Sequence, residues 1–187
     1  SVLFCSLVGL LDCSKGTISF NGIPLENLNK QSLREQIGSV LYRDQLVYGS
    51  VMDNIRFGRN EISLAMIEEE LSALNLKSFI HAMTDKFQGI LNPESHLIPI
   101  DVERKLLVAR ALIGQPNLLI LEDPTAGLTS IQKEELLQQL FKNENKTVLV
   151  ASSDPMVLTY CSRIIEIHQG KIRFDGSYES FKLTQSC

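Results

Sequence analysis

Apolar residues along this chain fall into two rhythms, continuous runs bounded by turn residues and stretches at helical spacing. The clearest run is Leu118, Leu119, Ile120 and Leu121, with no polar residue between them. A strand without polar alternation is buried on both faces, as in a parallel sheet covered by helices, and the helical patterns on either side agree with that. Ile37 to Leu41 and Thr147 to Ala151 read as further strands, the second also as buried. Leu3, Phe4, Leu7, Leu10 and Leu11 predict a buried helix over Ser1 to Leu11, with Gly9 allowing close packing and Asp12 to Gly16 forming its exit.

A short helix is predicted over Leu33 to Gln36. The stretch Ile62 to Met83 carries Leu64, Ile67, Leu71 and Leu74 on one face and Glu68, Glu69 and Glu70 across the solvent side. Lys86 to Asp101 is a loop broken by Gly89, Pro93 and Pro99. Glu103 to Leu112 forms a helix stopped by Gly114 and Pro116, and Thr129 with Gln132 suggests a capping box opening the helix Ser130 to Phe141. Asn21-Gly22 signals a hairpin after the alternating Thr17 to Phe20. Arg163 to His168, Gln169-Gly170 and Lys171 to Phe174 form a second hairpin, followed by a short terminal helix.

Glu122 and Asp123 stand directly after the apolar run. Ligands of open parallel sheets bind at the carboxyl edge, so paired acids there could hold a metal ion and polarise a water. A solvated strand terminus accounts for the same residues.

Composition narrows the function classes. A chain of 187 residues fits one domain, 1–187, with enough core to fold without metal or disulfide staples. The net charge is −4 and the basic residues are scattered, which argues against a nucleic-acid partner. Cys5, Cys13, Cys161 and Cys187 form no Cys-x-x-Cys pair and read as reduced thiols of a cytosolic domain. The longest apolar stretch, Val2 to Leu11, is too short to span a bilayer and lacks a preceding basic region.

The order of several motifs resembles the nucleotide-binding domain of ATP-binding cassette (ABC) transporters. In that family an apolar strand ends in Asp-Glu-Pro-Thr; here it ends in Glu122-Asp123-Pro124-Thr125. Leu106 to Leu112 and Pro116 are similar to the family's signature helix and the loop after it. Gly16 to Gly22 matches a Gly-x-Ile-x-h-x-Gly pattern, h being apolar, and Gly49-Ser50-Val51-Met52-Asp53-Asn54-Ile55 resembles the exporter type. The resemblance implies an α/β fold with a P-loop NTPase-like (RecA-like) core, a mainly parallel sheet and an α-helical subdomain at about 50–115 within the single domain. It also implies ATP and magnesium as cofactors, and a transmembrane domain and a second nucleotide-binding domain, as a homo- or heterodimer, as partners. The location it implies is the cytoplasmic face of a membrane.

Carried over position by position, the resemblance places most chemistry on residues of the wrong type. Ser1 falls on the final hydroxyl of the phosphate-binding loop, a magnesium ligand. The rest of that loop and its strand are absent from the sequence, so the domain is expected to be incomplete at its N-terminus. Tyr42 stands where the family has a glutamine that senses magnesium and the attacking water. Ile98, Pro99, Ile100, Asp101 and Val102 replace the signature Leu-Ser-Gly-Gly-Gln, which binds a γ-phosphate through its serine and backbone amides. Glu122 takes the magnesium-holding position, Asp123 the general-base position and Ser153 the place of a histidine that contacts the γ-phosphate.

Scaffold is retained where chemistry departs. The expected function is therefore an ATP-binding domain of an exporter-type transporter with weak or no hydrolysis, supporting ATP-driven transport as half of a dimer. A residual ATPase using Ser1, Glu122 and Asp123 is one alternative. A non-catalytic interaction or regulatory module that binds no nucleotide is the other.

Overall fold

The structure, a computed structural model, describes residues 2–143 and 145–185. The chain divides into two compact units, one ending at Ala151 and one beginning at Ser152.

The first unit opens with helix α1 (Val2–Leu7), the two-residue strands β1 (Ser19–Phe20) and β2 (Ile23–Pro24), helix α2 (Lys30–Gln36) and strand β3 (Ile37–Val40). Strand β4 (Gly49–Ser50) leads into helices α3 (Val51–Arg56), α4 (Leu64–Ala73) and α5 (Lys77–Ala82), then strand β5 (Ile90–Leu91). Helix α6 (Ile100–Leu112), strand β6 (Leu118–Glu122), helix α7 (Ser130–Leu140) and strand β7 (Thr147–Ala151) complete it.

Among the described residues, β3, β6 and β7 form one parallel sheet with β6 in the centre. Leu119, Ile120 and Leu121 are fully buried in β6, as their uninterrupted apolar run requires. In β7 the expectation of burial fails. Its residues alternate between half-buried and exposed, and Leu149 is 37% exposed. Among the described residues β7 has β6 on one side only.

Helix α1 is also shorter and less buried than its leucines predict. Phe4 and Val8 pack with Leu41 and Ile120, while Leu3, Leu10 and Leu11 stay exposed. Gly9, at φ +72°, ends the helix in a left-handed turn, its N–H donating to Ser6 O and that of Leu10 to Cys5 O. A Cβ at Gly9 would meet nothing within 4 Å, so its role is backbone conformation and not close packing.

Close packing occurs instead at Gly38 of β3. A Cβ there would overlap the carbonyl of Ala111, so the missing side chain lets α6 lie directly on the sheet. Helix α6 is mostly apolar and buried. It starts at Ile100, three residues before the expected Glu103, because proline at 99 supplies a φ of −57° suited to entering a helix. Buried Lys105 of α6 reaches Glu135 of α7 at 3.7 Å.

The stretch Ile62 to Met83 is two helices and not one. Asn75 adopts φ +58° between α4 and α5, which turns the chain so that Leu74 and Leu76 are both buried. Ile67 and Leu71 face inward as expected, but Leu64 is exposed and Glu70 is half-buried. Within the 86–101 loop, Ile90 and Leu91 pair with Ser50 and Gly49. The Asn21-Gly22 turn has both residues at positive φ, as its hairpin requires.

The second unit holds helix α8 (Pro155–Thr159), the antiparallel hairpin β8 (Ile164–His168) and β9 (Lys171–Gly176), and helix α9 (Tyr178–Gln185). Gln169 and Gly170 both take positive φ in the turn, and strand β9 continues two residues past the expected Phe174. Arg163 clasps the open end of the hairpin, donating to both oxygens of Asp175 at 2.7 and 2.6 Å. Phe174 and Phe181 join β9 to α9, their ring centres 5.3 Å apart.

Candidate functional site at the carboxyl end of the sheet

The parallel register sets Val40 beside Leu121, so β3 and β6 end together. Tyr42 follows β3 by two residues and comes to lie over Glu122, the last residue of β6. The backbone N–H of Tyr42 donates to Glu122 Oε2 at 2.9 Å, and Glu122 as a residue is only 9% exposed. The Tyr42 phenol does not take part, since that side chain is 77% exposed. A glutamic side chain, one methylene longer than aspartate, is what spans from the strand end to the neighbouring loop.

Asp123 behaves differently. It is exposed and held at φ +41°, a left-handed conformation that aspartate tolerates better than most residues. Its N–H extends the ladder to Ala151 O at 2.9 Å, and its carbonyl accepts from Ala126 N–H at 3.0 Å. The chain then turns through buried Pro124 and Thr125 into α7. Thr129 and Gln132 form the expected capping box at its start, each side chain bonded to the other's backbone N–H.

At the start of α6 the signature positions form no anion cradle. Pro99 has no N–H, and no side-chain hydrogen bond caps the helix. Ile100 lies so close over Gly127 that a Cβ on that glycine would come within 2.6 Å of Ile100 Cδ1. Asp101 adds a carboxylate to the first turn. An apolar side chain, an acid and a missing donor do not fit a phosphate.

Ser153, in the second unit, is exposed and precedes Asp154, which caps α8 by accepting from Met156 N–H at 3.0 Å. Ser1, expected at the end of the phosphate-binding loop, lies outside the described residues. Among the described residues, no three His, Cys, Asp or Glu side chains converge as metal ligands. No helix among them is long and apolar enough to cross a membrane.

Sequence reasoning passed over Asn54 and Arg110, which served only as landmarks in the resemblance. The structure joins them to each other and to the loop that follows β3. The available signal was an asparagine on the apolar face of α3, beside Val51 and Ile55.

A central parallel strand that ends in a buried acid, flanked by parallel neighbours and overlaid by a helix, is consistent with a P-loop NTPase core, an arrangement shared with other open parallel α/β sheets. A model of the ABC transporter family matches residues 1–126, and the chain belongs to that family. It is 28% identical over 169 residues to the ATP-dependent lipid A-core flippase of Chromobacterium violaceum, covering 89% of this chain and 29% of the flippase. It is also 28% identical over 173 residues to human ATP-binding cassette sub-family B member 5, covering 91% of this chain and 14% of that protein. A bacterial Atm1-family ABC exporter solved with ATP bound shares the fold, with a TM-score of 0.90 at 18% identity, over 98% of this chain and 32% of the exporter chain. The chain thus spans less than a third of each of these relatives.

Proposed function

We propose that this chain is a degenerate nucleotide-binding domain of an exporter-type ABC transporter. It works beneath a transmembrane domain at the cytoplasmic face of the membrane, as half of a nucleotide-binding dimer with a second copy or an intact partner. Its own site contributes weak or no ATP hydrolysis. Where that partner is intact, the family's cofactors, ATP and magnesium, serve turnover mainly at its site.

The observation that carries this reading is the state of Glu122. The Tyr42 N–H engages this longer acid, which the resemblance assigns to the family's magnesium position, and the resemblance assigns the shorter, exposed Asp123 to the general-base position. A misplacement of about 1 Å can cost on the order of a hundredfold in rate, and here both carboxylates are displaced by a methylene. Purified alone as the full-length polypeptide, the protein should turn over ATP at least about a hundredfold more slowly than an intact exporter. An ordinary transporter rate overturns the proposal.

The second reading, an interaction module without nucleotide, draws support from Ile100 seated over Gly127 where the family exposes phosphate-binding amides. Thermal unfolding with and without Mg-ATP separates the two. A raised midpoint with nucleotide removes the module reading, and an unchanged one favours it.

A further inference from the structure

The loop from Leu41 to Ser50 is fastened at two distant points. At its start, Leu41 N–H donates to Asp44 Oδ2 at 2.8 Å and Tyr42 N–H to Glu122. Further along, Asn54 holds both backbone groups of Val47, accepting from its N–H at 2.8 Å and donating to its carbonyl at 2.9 Å. Asn54 is fully buried, and its amide also donates to Ser50 O at 3.0 Å.

Arg110 of α6 locks this arrangement. Its Nε donates to Asn54 O at 2.9 Å, Nη2 to Asn54 Oδ1 at 3.1 Å and Nη1 to Gln45 O at 3.0 Å. The guanidinium also lies 4.4 Å over the Phe57 ring. One planar fork thus fixes the asparagine that grips the loop and grips the loop directly. Each of its three nitrogens has a separate oxygen, and a lysine ammonium cannot reach all three from one position.

We propose that Arg110 is the positioning residue of this loop, acting through Asn54 to hold Val47 and thereby to set the Tyr42 amide on Glu122. The inference goes beyond the function proposed above, because it concerns the chain's own backbone and does not depend on nucleotide binding.

Peptide-resolved hydrogen exchange on the full-length protein tests it, comparing wild type with Arg110→Lys and with Arg59→Lys. Arg59 is the control. It donates to the carbonyls of Arg56, Ile55 and Arg110 in the same helices, with no bond from its side chain to the loop. Arg110→Lys should raise exchange about tenfold in peptides covering 46–49, and to a similar degree in those covering 41–44, with α6 before its last turn changed less than about twofold. Arg59→Lys should leave both loop peptides unchanged. Unchanged loop exchange in Arg110→Lys overturns the proposal, as does a rise at 46–49 that does not reach 41–44. Equal rises throughout α6 and the loop in both variants reduce Arg110 to general helix packing and also overturn it.

Discussion

The amide of Tyr42 and the carboxylate of Glu122 meet at 2.9 Å although eighty residues separate them in sequence. The parallel pairing of β3 with β6 brings them together, and the glutamate's length closes the gap. Glu122→Asp withdraws the acceptor by a methylene while keeping the charge, drawing the carboxylate away from the Tyr42 amide. Hydrogen bonds to charged groups contribute about 1.5–3 kcal/mol, so the variant should lose stability of that order. Glu122→Gln retains length and one carbonyl acceptor and should lose less. Thermal unfolding of the two variants checks the ranking; a loss confined to Glu122→Gln would mean that charge matters and reach does not, and equal losses that the two contribute alike.

Glu70 on α4 gives a pH signature. Burial pushes its carboxyl above the ordinary value near 4.5; Lys146 opposes that shift and Glu69 adds to it. A raised carboxyl pKa means that the folded chain binds the proton more tightly than the unfolded chain. Stability therefore falls as pH rises from the ordinary glutamate range through the raised value, and the penalty is complete above it. Glu70→Gln should be more stable than wild type at neutral pH, with the difference shrinking as the pH falls through the raised value and gone below about 4.3. Denaturant titrations at the two pH values read this directly.

Gly38 and Gly9 separate two uses of glycine. Gly38→Ala forces a methyl into the Ala111 carbonyl and to 2.9 Å from Leu119 Cδ2, both on elements with little room to retreat. Overpacking costs about 1–3 kcal/mol, and a clash with backbone should reach the top of that range or exceed it. Gly9→Ala meets open space and carries only the left-handed backbone penalty, roughly 1–2 kcal/mol. Unfolding midpoints should therefore fall further for Gly38→Ala.

How far the sequence reveals this molecule depends on how local each cause is. The strand 118–122, the Asn21-Gly22 turn and the Thr129 capping box are local patterns, and they appear where the residues place them. The exposure of β7 was not legible, because apolar content alone does not say whether a strand is central or outermost. The break at Asn75 hides in a helical apolar period that continues across it. At the candidate site, residue identity at Tyr42, Pro99 and Glu122 was readable position by position. That Tyr42 contributes its amide, or that Arg110 reaches Gln45, depends on contacts between residues 80 and 65 apart.

Restoring the order of the acids tests whether this site retains chemistry of its own. The double change Glu122→Asp with Asp123→Glu gives each carboxylate the length the family uses, and in a residual ATPase it should raise turnover. We expect no gain. The exchange also removes the acceptor of the Tyr42 amide, and the first turn of α6 still offers Pro99, Ile100 and Asp101 where a phosphate needs open backbone donors. Adding Pro99→Ser, Ile100→Gly and Asp101→Gly to the double change removes that second block, so any gain should appear in the combined variant before it appears in the acid exchange alone. A rise of about tenfold or more from the acid exchange alone, corresponding to about 1.4 kcal/mol of barrier, would place working catalysis in this chain and leave the partner's site a smaller share.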